Sequence, residues 1–331
     1  MKYGLLGEKL GHSISPEIHE IYGNSDYQLL EVPENQVKNF ILAKKYQGLN
    51  ITIPYKEKVL PFCDQLSARA KKIGSINTLI LQADNSLYGD NTDYLGFLHL
   101  AAVANLDFRG KKVVIMGDGG TGKMAKVAIA DSGARDIVQL SRHTAVNYGA
   151  KKAYLDGEIL VNTTPVGMYP HNGQSLVDLS EFPNLEGVLD VIYNPLRTEL
   201  LLQAEALGIP CAGGLPMLTE QARQAAMLFL NKKITPEMGE RACRKIRQRL
   251  CNIVVVGNES AALALGQELK RPVVTGGDWE DIAREKSLIL SVTKDAAKNH
   301  YKALRQNGVL FPANILKWGN AGKVEDILRS L

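Results

Sequence analysis

The sequence predicts an α/β protein made of more than one unit. At 331 residues the chain exceeds what one hydrophobic core comfortably organises. Short apolar runs alternate with helical segments along most of its length, as expected of strands covered by helices. One of those runs, Val113 to Met116, opens directly into a glycine-rich turn and helix-forming residues. That succession is the opening of a doubly wound parallel sheet.

The elements follow in order. "YGLLG", "DYQLLEV", "GLNITIPY" and "INTLIL" read as strands, with "QVKNFILAKKY" a helix among them. "DYLGFLHLAAVANL" is helical and leads to "KKVVIMG", where a second α/β unit begins and continues through "DIVQL", "EILVNTT" and "GVLDVIY". From Gly213 the chain turns helical again in "LPMLTEQARQAAMLFLN". "ITPEMGERACRKIRQRL" is basic and amphipathic, a connector with a solvated face; a DNA-contacting helix is the sharper alternative. The last eighty residues repeat the alternation in "NIVVVG", "SAALALGQEL", "PVVTG", "SLILSV", "YKALRQN" and "GVLFPAN", a small additional α/β unit.

Composition narrows the function only a little. Hydrophobic content of 45% and charged content of 22% are those of an ordinary globular protein. A net charge of +4 suits anionic small ligands and falls short of a dedicated nucleic-acid binder. Four cysteines (Cys63, Cys211, Cys243, Cys251) show neither C-x-x-C spacing nor the density of a disulfide scaffold, as in a reducing compartment. With no leader and no apolar run of membrane-spanning length, a cytoplasmic protein is expected.

The turn "VVIMGDGGTGKMA" admits two ligands. As G-x-G-x-x-G (Gly117, Gly119, Gly122) it lays a dinucleotide pyrophosphate on a helix N-terminus. As G-x-x-x-x-G-K, ending at Lys123, it would hold a nucleoside triphosphate. That site needs a Mg²⁺-ligating hydroxyl where this chain has Met124. A dinucleotide site instead reads the adenosine ribose at the tip of the next strand, roughly 20 residues on. There "DIVQLSRHT" offers Ser141, Arg142 and His143 and no carboxylate, which favours the 2′-phosphate of NADP. Asp118 is awkward in a phosphate-binding turn. Its side chain has to point away, with Lys123 and the helix N-terminus offsetting the charge.

Chemistry-bearing residues cluster in the first unit. "LGHSISPEIH" puts Ser13 and Ser15 just before a helix opened by Pro16, where hydroxyls and N–H groups suit a carboxylate. Ser15 as a plain helix cap explains the same residues equally well. Lys56 follows the strand halted by Pro54, Asp93 stands at a helix start, and Asn77 lies at an apolar strand. Each alone has a bland explanation: a solvated lysine, a capping aspartate, a satisfied buried amide.

Eight phrases together change the balance: "GLLGEKLGHSISPEIH", "GLNITIPYKEKV", "IGSINTLI", "GDNTDYLGF", "MGDGGTGKMA", "LVNTTPVGMYP", "VLDVIYNPLRTELL" and "GGLPMLTEQA". In order and spacing, residues 1–229 resemble the shikimate dehydrogenases. The resemblance implies an N-terminal substrate domain (1–98), a Rossmann-like NADP domain (99–210) and helices returning to the substrate domain (211–235); the basic connector (236–250) follows them. It implies NADP-dependent reduction of 3-dehydroshikimate to shikimate, with Lys56 as general acid/base and Asp93 as its partner. Ser13, Ser15 and Tyr193 would hold the substrate carboxylate, and Thr52, Asn77 and Gln221 the ring hydroxyls. Gly117, Asp118, Gly119, Gly120 and Thr121 match the pyrophosphate turn, while Ser141 and Arg142 match the family's Asn-Arg-Thr tip at the 2′-phosphate. Val191 and Gly214 fall where the family lines the nicotinamide, and no metal is implied. Quinate, alone or beside shikimate, stays open as substrate, as does a non-catalytic shikimate sensor. Residues 251–331 resemble a shikimate kinase that lacks its phosphate loop, a remnant kept for packing, self-association or regulation.

Overall fold

The computed structural model describes residues 2–11, 13–141, 148–169 and 173–250, together with strands at 252–256, 287–291 and 315–317. The first sheet contains β1 (Tyr3–Gly7), β2 (Tyr27–Glu31), β3 (Gly48–Ile51), β4 (Gln65–Leu66), β5 (Thr78–Leu81) and β6 (Leu87–Asp90) in the order β2-β1-β3-β5-β6-β4. Its helices are α1 (Ser15–Ile21), α2 (Glu34–Leu42) and α3 (Ala68–Ile73). The sheet is mixed: β1 runs parallel to β2 and β3, whereas β5 is antiparallel to both β3 and β6. Central β1 and β3 are buried throughout, as strands covered on both faces must be. Leu6, Ile41, Leu49, Tyr55 and Leu79 form the core on one side.

Helix α4 (Asp93–Val103) leaves this sheet for a second one. That sheet holds β7 (Lys112–Met116), β8 (Asp136–Leu140), β9 (Ile159–Asn162), β10 (Gly187–Asp190) and β11 (Cys211–Ala212), with α5 (Gly120–Asp131) and α6 (Glu199–Ala206). It is parallel throughout, in the order β11-β10-β9-β7-β8. Successive residues of β7 serve opposite faces, as the two-residue period of a strand requires. Val113 and Ile115 pack with Phe97, Ala125 and Ile129; Val114 and Met116 pack with Leu160, Leu200 and Ala204. Burying each such side chain contributes about 1.5–3 kcal/mol. The chain moves from β7 outward to β8 and then back across to β9. The strand order therefore reverses beside β7, and such sheets bind ligands at that point.

Helix α7 (Leu215–Leu230) returns to the first sheet and crosses α4 closely. A Cβ on Gly96 would lie 2.6 Å from the Met217 carbonyl oxygen, so only glycine permits the approach. Helix α8 (Pro236–Leu250), expected as a connector, also has a packed face: Ala242 and Ile246 join Ile14, Ile18, Ala222 and Ala226 in one cluster. Strands β12 (Asn252–Val256), β13 (Ser287–Ser291) and β14 (Ile315–Lys317) form a parallel sheet in that order. Of the two phrases behind the kinase-like reading of the tail, "NIVVVG" supplies β12, and "YKALRQNGVLF" lies outside the described residues. Among the described residues no helix is long and apolar enough to cross a membrane.

Candidate active site

Lys56 is aimed by the turn that ends β3. Thr52 N–H donates to the Leu6 carbonyl (2.9 Å), and Tyr55 N–H to that of Thr52 (2.9 Å). The Tyr55 ring is fully buried, and its hydroxyl donates to the Val32 carbonyl at 2.6 Å. The Lys56 carbonyl itself accepts from Ile76 N–H (2.9 Å). The start of α4 is held as firmly. Buried Asp90 accepts from Ser67 Oγ (2.6 Å), Arg69 Nε (2.8 Å) and Asn91 N–H (2.7 Å). Thr92 N–H donates to Asn77 Oδ1 at 2.7 Å.

These two anchored segments bring Lys56 Nζ to 2.6 Å from Asp93 Oδ2, both side chains largely buried. Asp93 is the first residue of α4, and its carboxylate is spent on the lysine rather than on capping the helix. Asn77 Nδ2 donates to Thr92 Oγ1 (3.0 Å) and to Gln221 Oε1 (3.3 Å), so the α4–α7 crossing brings Gln221 to the same spot. Ser13 Oγ accepts from Ser15 N–H (3.3 Å) and donates to Ser15 Oγ (3.1 Å). Helix α1 opens at Ser15 with Pro16 second, and Ile14 as its flanking residue makes no side-chain cap. The capping alternative for Ser15 therefore falls away, and Ser13 is the residue that engages the turn.

A cavity of about 270 Å³ gathers Ser13, Ser15, Thr52, Lys56, Asn77, Asp93, Tyr193 and Gln221, with Val191 and Gly214. Asn50 lines it too and was not foreseen. Its amide donates to the Asn77 carbonyl (3.1 Å) and Thr78 Oγ1 (3.2 Å) and accepts from the Tyr27 hydroxyl (2.8 Å). The signal was an asparagine inside "GLNI", where an unpaired amide would be costly. Tyr193 reaches the cavity from a loop fixed by buried Asp190. That carboxylate accepts from Asn162 Nδ2 (3.1 Å), Ile192 N–H (3.0 Å) and Thr198 Oγ1 (2.7 Å). Burial outweighs those bonds and pushes its carboxyl up to about 6. Burial likewise raises the Tyr193 phenol above its ordinary range.

A second cavity, about 530 Å³, lies along the glycine turn and is lined by Gly117, Asp118, Gly119, Gly120, Thr121 and Ser141, together with Thr163 and Thr164. Ile53, Lys56 and Thr121 line both cavities, so the amine stands where the two meet. Gly117 has φ +107°, and a Cβ there would sit 2.6 Å from Thr163 Oγ1. A Cβ on Gly119 or Gly120 would meet nothing within 4 Å, leaving open space at the N-terminus of α5. That is the cradle a pyrophosphate needs, its charge facing first-turn N–H groups. Met124 is buried in the core, and its thioether is no ligand for Mg²⁺, which removes the triphosphate alternative. Lys123 does not offset Asp118 as expected: its Nζ pairs with Glu57 Oε1 at 2.7 Å, across from the first sheet. Asp118 instead accepts from Ser141 Oγ at 2.8 Å. Arg142 lies outside the described residues.

A proton-carrying amine next to a dinucleotide turn is the equipment of the nicotinamide-dependent oxidoreductases. Comparison with known proteins narrows the class. Residues 5–79 match the family model described as shikimate dehydrogenase substrate binding domain. The chain is 36% identical over 256 residues to the shikimate dehydrogenase (NADP(+)) of Clostridium beijerinckii, covering 70% of this chain and 94% of that protein. Among solved structures, a chorismate mutase/shikimate 5-dehydrogenase fusion protein from Clostridium acetobutylicum superposes with a TM-score of 0.71 at 31% identity, over 75% of this chain and 97% of that one. Shikimate 5-dehydrogenase from Thermus thermophilus, solved with NADP(H) and shikimate, gives 0.65 at 27% identity, over 74% and 99%. The chain belongs to the shikimate dehydrogenase family.

Proposed function

We propose that residues 1–98 hold the substrate, residues 99–210 hold the cofactor, and the helix of 211–235 closes the substrate side. The protein is an NADP-dependent shikimate dehydrogenase, interconverting 3-dehydroshikimate and shikimate. The observation that supports these roles above all others is the 2.6 Å contact between Lys56 and Asp93 where two cavities meet.

Bound NADPH supplies the hydride that reduces the carbonyl carbon. The rest of the chemistry belongs to the chain. Negative charge grows on the carbonyl oxygen as it is reduced, and the Lys56 ammonium both stabilises that charge and donates the proton that completes the hydroxyl. In the reverse direction Lys56 takes the proton back. Asp93 acts as the tether that keeps the ammonium on target. Ser13, Ser15 and Tyr193 offer hydroxyls to the substrate carboxylate, and Thr52, Asn77 and Gln221 hold its ring hydroxyls. Such a polar, aromatic-poor lining suits a small hydroxylated acid. Gly117 to Thr121 hold the pyrophosphate, Ser141 and Arg142 meet the adenosine ribose, and Val191 and Gly214 border the nicotinamide.

Shikimate-dependent reduction of NADP⁺, followed by absorbance, tests the activity, with quinate supplied separately to define the acid. Lys56→Ala should lower kcat by about 10²–10⁴-fold while KM for shikimate changes much less. A variant retaining most of its turnover would remove Lys56 from this role.

A further inference from the structure

Asp118 is the one acidic side chain along the glycine turn, and the structure gives it a specific partner. Gly117 N–H donates to the Leu140 carbonyl at 2.8 Å, which ties the turn to the end of β8. Across that join Ser141 Oγ donates to Asp118 Oδ2 at 2.8 Å, and both residues line the larger cavity. The tip of the second strand is where a dinucleotide-binding sheet reads the adenosine ribose. An acid at that place accepts from a ribose 2′-hydroxyl and repels a 2′-phosphate. In the usual arrangement the acid stands on the second strand itself. Here β8 ends in a serine, and the carboxylate arrives from the neighbouring turn, held over the tip by that serine. Lys123 on the first turn of α5 pairs with Glu57 rather than with this carboxylate.

We propose that Asp118 is a cofactor-discriminating residue: its carboxylate opposes the 2′-phosphate and accepts from the 2′-hydroxyl, so this chain binds NAD as well as NADP. This rests on the assignment of the larger cavity to the dinucleotide. The substitution to examine is Asp118→Asn, which keeps the shape and an oxygen for Ser141 while removing the charge. Calorimetric titration of the full chain with NADP⁺, NAD⁺, 2′,5′-ADP and 5′-AMP reads binding without turnover.

Wild-type protein should bind both dinucleotides. Asp118→Asn should tighten NADP⁺ and 2′,5′-ADP by roughly tenfold, a difference of about 1.4 kcal/mol, and leave NAD⁺ and 5′-AMP unchanged or weakened. Asp118→Ala should shift the NADP⁺ to NAD⁺ ratio in the same direction and serves if the asparagine variant folds poorly. A ratio identical in wild type and both variants would overturn the role of Asp118 and leave the cavity assignment standing. Failure of wild-type protein to bind either dinucleotide would overturn the cavity assignment, and the proposal with it.

Discussion

Lys56 and Asp93 illustrate how a site is assembled from residues that look ordinary alone. They are separated by three strands and helix α3, and the anchors around Tyr55 and Asp90 help set their side chains face to face. Asp93→Asn keeps the shape but loses the charge that tethers the ammonium. It should lower kcat by about 10–100-fold with a smaller change in KM, measurable in steady-state assays. His19 poses a different problem at the same scale. It is buried, stacked on Tyr27 with ring centroids 3.8 Å apart, and its Nδ1 has no hydrogen-bond partner among the described residues. Burial, outweighing a hydrogen bond with Asn50, lowers its pKa to about 3. Between that value and the ordinary 6.5 the unfolded chain binds a proton that the folded chain refuses. His19 therefore removes stability as pH falls through this window, by up to about 1.4 kcal/mol per pH unit. Asp190, raised to about 6, acts in the opposite sense between 3.8 and that value. The difference between wild type and His19→Phe isolates the histidine: urea midpoints should diverge from about pH 7 to about pH 5, with the variant losing less stability.

At the scale of elements, the crossing of α4 and α7 positions Gln221. Gly96→Val would force a side chain against the Met217 carbonyl and Gln221 Cβ, both within 3.1 Å of the new Cβ. It should cost about 1–3 kcal/mol in urea denaturation and raise KM for shikimate as Gln221 shifts away from Asn77. The strands themselves were largely legible. The uninterrupted apolar run of β7 announced a parallel strand covered on both faces, and the glycine turn after it lines a cavity at the start of α5. The antiparallel place of β5 and the two-residue strand β4 were not legible, because pairing direction is decided by partners distant in the chain and two residues carry no periodicity. The same limit applies to side chains. The eight phrases picked out the residues that gather in the smaller cavity, but nothing near Lys123 in sequence told that Glu57 would claim it. Asn50 escaped notice because its partners, Tyr27, Asn77 and Thr78, come from other strands.

At the scale of the molecule, few charged contacts join the two sheets among the described residues. Lys123–Glu57 links the start of α5 to the turn carrying Lys56, and both side chains are about half exposed, at 49% and 51%. Solvent screens such a pair, so Lys123→Ala should change unfolding stability by less than about 1 kcal/mol. If the pair holds the cleft narrow, the variant should raise KM for both substrate and cofactor. That effect should fade in high salt, where wild type loses the same attraction. At the other end of α5, Asp131 accepts from Tyr94 Oη at 3.1 Å and pairs with Lys72, bridging α3, α4 and α5.

The polypeptide passes between the sheets twice, outward through α4 and back ahead of α7, and those two helices lie against each other. A single tether would let the halves swivel freely. A doubled one behaves like a strap hinge, leaving a swing about the paired helices as the softest relative travel. With substrate and cofactor held as proposed, such a swing would bring hydride donor and acceptor together along one arc.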